Sequence, residues 1–384
     1  MFSLVTLHSD LLEEWFKNIA SPIWQKKGWD SKSGLFHENL DRAYTPVNGM
    51  RRSMVQARQI YCLTALLELG VDQAQDAVLK QKIATAIDTY IRVYQNEDGS
   101  FAHAVDDNLQ RRPETDLYAQ SFGFFVLARG FGLLKDPKLE TTAKKLLNYL
   151  QTERRLPQGG FSEIENGKAV CRSNPHMHLF EAAIEWMTFS KDPSWSEFGA
   201  SLYQHFNEKI LSDRKMIAEE FDDAWEPVLN ADGAYFFEPG HHCEWAWLIL
   251  RYADLAKVEA TSLPKELFAS SNQYGLQKHS DIAVDQVWSN GTVKSNTARF
   301  WPQAERAKAA SLLARRSTGD EREGYVKDCL RSIGNLMDYL KPLDAGLWTD
   351  TRDQNGAMVY GNSKASSLYH IVGAILELKA LTKT

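Results

Sequence analysis

The sequence predicts an all-α protein in which six helix hairpins close into a ring, and three observations carry that expectation. Apolar residues recur with helical spacing: Met54, Arg58, Tyr61 and Ala65 fall on one face, and Leu117, Ser121, Phe124 and Ala128 on another. These windows are too long for strands, and alternating strand patterns are nearly absent. A similar turn returns six times, at Ser33-Gly34-Leu35-Phe36, Asp98-Gly99-Ser100-Phe101, Gly159-Gly160-Phe161, Asp232-Gly233-Ala234-Tyr235, Asn290-Gly291-Thr292-Val293 and Ala345-Gly346-Leu347-Trp348. Its glycines at 34, 99, 160, 233, 291 and 346 stand about 55 to 73 residues apart, room for two helices and two connections per unit. Both end segments, near Leu11–Trp15 and Ile371–Leu378, carry apolar faces, whereas an open solenoid of hairpins needs polar capping repeats.

Composition bounds the function. The 384 residues are 43% hydrophobic and 24% charged, as in ordinary globular proteins. No Pro/Ser-rich linker or charge block divides them, so residues 1–384 are expected to form one domain. With 44 basic against 50 acidic residues, the net charge of −6 offers no field for nucleic acid or an anionic membrane. No run approaches about 18 uninterrupted apolar residues, and acids stand where a signal peptide carries basic residues, so a cytoplasmic location is expected. Cys62, Cys171, Cys243 and Cys329 lack CxxC spacing, which fits reduced, mostly buried thiols.

Along the chain, several polar groups interrupt apolar helical faces. Arg58 lies between Met54, Tyr61 and Ala65, so it is either half of a structural ion pair or a permanent cation awaiting an anionic oxygen. Tyr118 belongs to the aromatic segment Asp116–Phe122, of a kind that stacks on sugar faces or packs a core. His178, Glu181 and Glu185 share one helical stripe after Asn174-Pro175-His176-Met177. That spacing is not the metalloprotease arrangement of His at i and i+4 with Glu between. Pro239-Gly240-His241-His242-Cys243-Glu244-Trp245 opens a helix rich in Trp, Leu and Ile, with His241 and Glu244 one turn apart. Buried charge of that kind is costly unless it is paired or has work to do. Trp301 heads the segment Trp301-Pro302-Gln303-Ala304-Glu305, and His370 follows Leu368-Tyr369 at the start of an apolar final helix.

Together these segments resemble the N-acylglucosamine 2-epimerase superfamily, which includes mannose isomerases, sulfoquinovose-type sugar isomerases and cellobiose 2-epimerases. The likeness runs nearly end to end. PGHxxEW at Pro239–Trp245 is its most specific element, joined by QARQIY around Arg58, DLYxQxF around Tyr118, NxxMHLxEA from Asn174, WPQAE from Trp301 and LYH ending at His370. The resemblance implies an (α/α)6 barrel, in agreement with the turn count. It implies His241 and His370 as a catalytic pair, and Arg58, Tyr118, Asn174, His178, Glu244 and Trp301 as lining a sugar pocket.

The residue types suit proton transfer alpha to a carbonyl through an enediolate. Neutral histidine is the natural base near pH 7. Arg58 would stabilise the oxyanion, and Glu244 is expected to orient His241 or hold its charged form. No metal or redox cofactor is implied, and the expected partner is a monosaccharide, bound by a monomer or homodimer. Acylglucosamine epimerases continue PGHxxE with Ala-Gly-Trp, whereas Trp245 directly follows Glu244 here, as in the aldose–ketose isomerase branch. Mannose–fructose isomerisation is therefore the expected reaction, with 2-epimerisation the alternative. Two other classes stay open: a glycoside hydrolase or lyase using Asp116, Glu220, Asp222 or Asp223, and a non-catalytic toroid that binds carbohydrate or protein.

Overall fold

The computed structural model describes residues 1–165, 168–278 and 280–384. Twelve long helices among them carry the architecture. The odd-numbered helices, α1 (Phe2–Glu14), α3 (Gln73–Tyr94), α5 (Pro137–Tyr149), α7 (Pro193–His205), α9 (Leu263–Gly275) and α11 (Gly319–Tyr339), form an outer wall. The even-numbered ones, α2 (Ser53–Leu69), α4 (Leu117–Leu134), α6 (Ser173–Phe189), α8 (Pro239–Ala256), α10 (Trp301–Arg315) and α12 (Leu368–Thr382), form an inner ring. Each inner helix packs on the next, and α12 returns to α2. The N-terminal helix α1 is the outer partner of the last inner helix, and an ion pair between Glu13 and Lys379 ties the two chain ends. The result is the expected (α/α)6 barrel.

The two walls differ in sequence because they differ in surroundings. The outer helix α5 buries one stripe, Leu139, Ala143, Leu146 and Tyr149, and turns its other faces to solvent. The inner helix α10 buries every residue from Pro302 to Ala314, and its Ala and Ser residues let neighbouring helices approach closely. Asp72, Asp116, Asp136 and Asp192 cap α3, α4, α5 and α7 by accepting first-turn backbone N–H groups. By length and composition α4 could cross a membrane, but it forms inner barrel wall and is largely buried by its neighbours. All four cysteines are buried and unpaired.

Inner-to-outer connections are short and gather at one end of the barrel. Outer-to-inner connections are long and gather at the other, above the N-termini of all six inner helices. Every described strand lies in these long connections, paired antiparallel in two- and three-stranded sheets. Strands of two to five residues are too short to display a period, so the sequence pattern did not announce them.

The repeat is more regular than its glycines suggest. After each outer helix, one residue in the left-handed region closes a tight turn: Gly34, Gly99, Gly159, Lys215, Asp281 and Gly346. The residue two positions on is then clamped by a side chain at or just before the next inner helix. Gln56 binds the backbone N–H and C=O of Phe36, Gln120 those of Phe101, and Gln303 those of Ala283. His176 and His242 accept the N–H groups of Phe161 and Ile217, and Ser363 bonds both backbone groups of Trp348. The fourth and fifth equivalent turns thus belong to Lys215 (φ 56°) and Asp281 (φ 53°). Gly233 and Gly291, counted in their place from sequence, close separate hairpins further along the same connections.

Candidate active site

All eight residues singled out from sequence, Arg58, Tyr118, Asn174, His178, His241, Glu244, Trp301 and His370, line one axial cavity of about 330 Å³. They converge because each sits in the first turns of an inner helix, and the six N-termini face the same end of the barrel. The carboxylates considered for hydrolysis do not line it. Asp116 caps α4, Asp222 holds a loop through the N–H groups of Ala224 and Glu226, and Glu220 and Asp223 are exposed.

Each catalytic candidate has its own buried acid. Nδ1 of His241 lies 2.9 Å from both carboxylate oxygens of Glu219, which also accepts the Glu238 N–H at 3.0 Å and the Ser173 hydroxyl at 3.2 Å. Nδ1 of His370 lies 2.7 Å from Glu305 Oε1. With both Nδ1 atoms committed, Nε2 is the nitrogen each ring can offer to a substrate. Trp301 lies against both imidazoles, its ring centroid 5.0 Å from that of His241 and 5.5 Å from that of His370. Gly240 makes this possible: a Cβ there would stand 2.4 Å from the Trp301 ring.

The two histidines are driven in opposite directions. Burial disfavours the His241 imidazolium, but Glu219, with Glu238 and Glu244 behind it, outweighs burial and lifts the pKa to about 9. Burial also lowers His370, and there the cations Arg58 and Lys308 push the same way, so it stays well below the ordinary imidazole value. Of the two imidazoles, His241 holds its proton more tightly and His370 less tightly than an ordinary histidine.

Among the described residues Arg58 has no ion-pair partner. Its guanidinium donates to the Tyr118 hydroxyl at 2.8 Å and to the Ser366 carbonyl at 3.3 Å, while Nε is buried without a hydrogen-bond partner. Its Cζ lies 4.6 Å from the Phe122 ring centroid and 4.8 Å from that of Tyr369. A cation held this way keeps its charge available to a developing oxyanion. His178 donates Nδ1–H to the Glu181 carboxylate at 2.9 Å, and burial lowers the His178 pKa to about 4.

Glu244 departs from expectation. It does not pair with His241; its nearest imidazole is His178, 4.0 Å away, and neither of its oxygens has a hydrogen-bond partner. Burial first, then the charge of Glu305, raises its pKa well above the ordinary carboxylate value. Glu244 with His178 and Glu181, or with Glu305 and His370, has the donor types and spacing for a cation. The Lys308 ammonium, 2.7 Å from Glu305, already stands beside these carboxylates and supplies a counter-charge.

Sequence reasoning did not single out several cavity groups. Arg52, Glu238, Arg299, Asp350, Lys364, Ser366 and Ser367 come from the long connections and helix starts, where no motif marked them. Glu219 stands 22 positions before His241 with no signal at all. Glu305 was visible, one turn beyond Trp301 in WPQAE, but its target on another helix was not.

The inner ring of helices thus brings two histidines of opposite proton affinity and an aromatic-shielded arginine onto one cavity. The chain belongs to the N-acylglucosamine 2-epimerase (GlcNAc 2-epimerase) family, whose pattern matches residues 34–374. A Rhizobium meliloti (strain 1021) protein named mannose-6-phosphate isomerase is 31% identical over 386 residues, covering 99% of this chain and 98% of its own. Cellobiose 2-epimerase from Bacillus thermoamylovorans B4167 superposes with a TM-score of 0.84 at 16% identity, covering 98% of this chain and 100% of that one. A D-mannose isomerase gives a TM-score of 0.83 at 18% identity, covering 98% and 97%. The protein is thus a sugar isomerase or epimerase with the (α/α)6 barrel of its family.

Proposed function

We propose that this enzyme interconverts mannose and fructose by aldose–ketose isomerisation of the free sugar. The observation that carries the reading is the pair of cavity histidines, each with Nδ1 on its own buried carboxylate, of which Glu219 raises His241 while burial, Arg58 and Lys308 lower His370. His370 Nε2 accepts the C2 proton from the open-chain aldose. The C–H electrons form the C1=C2 bond, and negative charge moves onto O1 beside Arg58 and the His241 imidazolium. O1 takes a proton from the His241 imidazolium, O2 gives its own proton back to that ring as C2=O2 forms, and His370 returns its proton to C1, which gives the ketose. Glu244, whose carboxyl is raised by burial and by Glu305, would donate to a sugar hydroxyl or ring oxygen, and Trp301 offers a flat face to the ring carbons.

Charge at the cavity mouth supports an unphosphorylated substrate. Arg52 pairs with Glu38 at 2.7 Å, Arg299 with Asp285 at 3.0 Å and Glu238 at 3.1 Å, and Lys364 with Asp350 at 2.7 Å. A phosphate would have to compete with carboxylates already in place. Trp245, which pointed to isomerisation from sequence, is core: its ring stacks on Phe206 at 4.1 Å and Phe180 at 5.8 Å, away from the cavity. The preference for isomerisation now rests on the isomerase name of the relative that spans the whole chain. C2 epimerisation is the second reading, because two histidines against one tryptophan allow proton removal and return on opposite faces.

The test is incubation with mannose, glucose, fructose, N-acetylmannosamine and mannose 6-phosphate in heavy water, followed by identification of products and of the deuterated carbon. Fructose from mannose, with deuterium at C1, is expected. Glucose from mannose with deuterium at C2 would establish the epimerase reading, and turnover of mannose 6-phosphate alone would refute the free-sugar assignment. No exchange on any sugar would leave a binding toroid.

A further inference from the structure

Beneath the cavity floor, the barrel axis holds a lysine that the proposed chemistry does not use. Lys308 of α10 is 1% exposed, and its Nζ lies 2.7 Å from Glu305 Oε2, the oxygen opposite the one that meets His370. The ammonium also sits 3.9 Å from the centroid of the Trp247 ring, a cation–π contact from α8. Its stem runs along α12 in a slot opened by Gly373, where a Cβ would stand 3.2 Å from Lys308 Cδ. A buried lysine with one carboxylate partner, an aromatic floor and a side-chain-free groove is held in place from three inner helices.

We propose that Lys308 is a positioning residue for the reaction: bound to Glu305, it keeps the His370 ring neutral and fixes Nε2 as the accepting nitrogen. The inference rests on the reading of His370 as the base. Glu305 left alone with His370 would form a tight carboxylate–imidazolium pair, and a ring already carrying its proton cannot take another from C2. Lys308 divides the carboxylate between two partners and places a second positive charge near the ring. Glu305 still accepts the Nδ1 proton, so the lone pair is left on Nε2.

Lys308 acts together with other groups around His370: burial and then Arg58 of α2 disfavour the imidazolium most, Lys308 comes next, and His178 and Glu181 of α6 act in opposite directions. Glu244 of α8 lies close to Glu305 and His370, its carboxyl raised by burial and by Glu305, and the hydroxyl of Tyr369 bonds Glu181. Asp350, in the connection before α12, is engaged by Lys364 and Ser367. From α1, Glu13 pairs with Lys17 and with Lys379, at the far end of α12.

The experiment is a pH titration of the His370 imidazole by NMR of histidine-labelled full-length protein, its resonance assigned by its loss in His370→Ala. Lys308→Met keeps the stem and removes the charge. The His370 midpoint is expected to rise by about one pH unit or more, the effect of deleting one nearby charge at an intermediate dielectric. The acidic limb of the kcat profile should rise with it, while KM changes little. Lys308→Gln, whose amide can still donate to Glu305, serves if the methionine variant does not fold, with the same rise expected. Lys308→Arg keeps the charge and should leave the midpoint near that of the parent. An unmoved midpoint in a folded, uncharged variant, or an equal rise in Lys308→Arg, overturns the inference. If His370→Ala keeps full turnover, the catalytic reading fails instead, and the NMR midpoint still reports whether Lys308 governs the ring.

Discussion

Glu219→Gln isolates what a single buried carboxylate does for the proton donor. His241 is raised from 6.5 to about 9 in spite of burial, and Glu219 is the largest of the groups raising it. A shift of that size corresponds to about 3 kcal/mol of preference for the charged ring. Glutamine keeps the shape and can still accept the Glu238 N–H, but it leaves burial to dominate, so the His241 pKa should fall to about 6.5 or lower. At pH 8 the donor form would then drop from about nine-tenths to a few per cent of molecules, a loss of about 30-fold or more in kcat/KM. The assay is sugar isomerisation from pH 5.5 to 10, in which the basic limb should move down by about two units. Stability gives an independent reading. Because the folded-state value is raised, the parent's extra stability is complete below about pH 6.5 and is lost as pH climbs through about 9, whereas Glu219→Gln lacks that slope. A basic limb that stays in place in Glu219→Gln, or a parent whose denaturant midpoint is flat between pH 6.5 and 9, would refute the assignment of His241 as the charged donor.

Arg58→Lys should lose most activity although it keeps the charge, because an ammonium cannot span Tyr118 and Ser366 while lying between two aromatic rings; turnover at the parent's rate would make Arg58 structural. His241→Ala and His370→Ala should each lower kcat by about two orders of magnitude or more with small effects on sugar affinity. Solvent-deuterium exchange at C2 separates their roles: it should vanish in His370→Ala, and its persistence there would reverse the assignment of base. Gly240→Ala should drive the Trp301 ring off α8 and cost about 1–3 kcal/mol, read as a lower melting temperature together with weaker sugar binding. A crystal structure of that variant with Trp301 unmoved would show the close approach to be unimportant.

Periodicity and turn spacing determined the secondary-structure class and the six-fold repeat, and the motifs shared with the family picked out all eight residues placed around the cavity. These were legible because they are local properties. A helix that is apolar on every side must lie inside, a polar group on such a helix must have a purpose, and motifs such as PGHxxEW keep their spacing along one element. Tertiary structure decided which groups act on one another. Sequence assigned Glu244 to His241 because they are one turn apart, yet the imidazole turns to Glu219 from a connecting loop while Glu244 faces His178 on the neighbouring helix. His370 has no acid within its own turn, yet Glu305 reaches it from α10, and Lys308 reaches Glu305 in turn. The repeat shows the same division. Glycine marked four of the six equivalent turns, but Lys215 and Asp281 hold the left-handed conformation in the other two because the clamps at His242 and Gln303 anchor the residues just beyond them. Proton affinity in a buried site is set by through-space charge and by burial, and both depend on distances between helices that spacing along the chain does not encode.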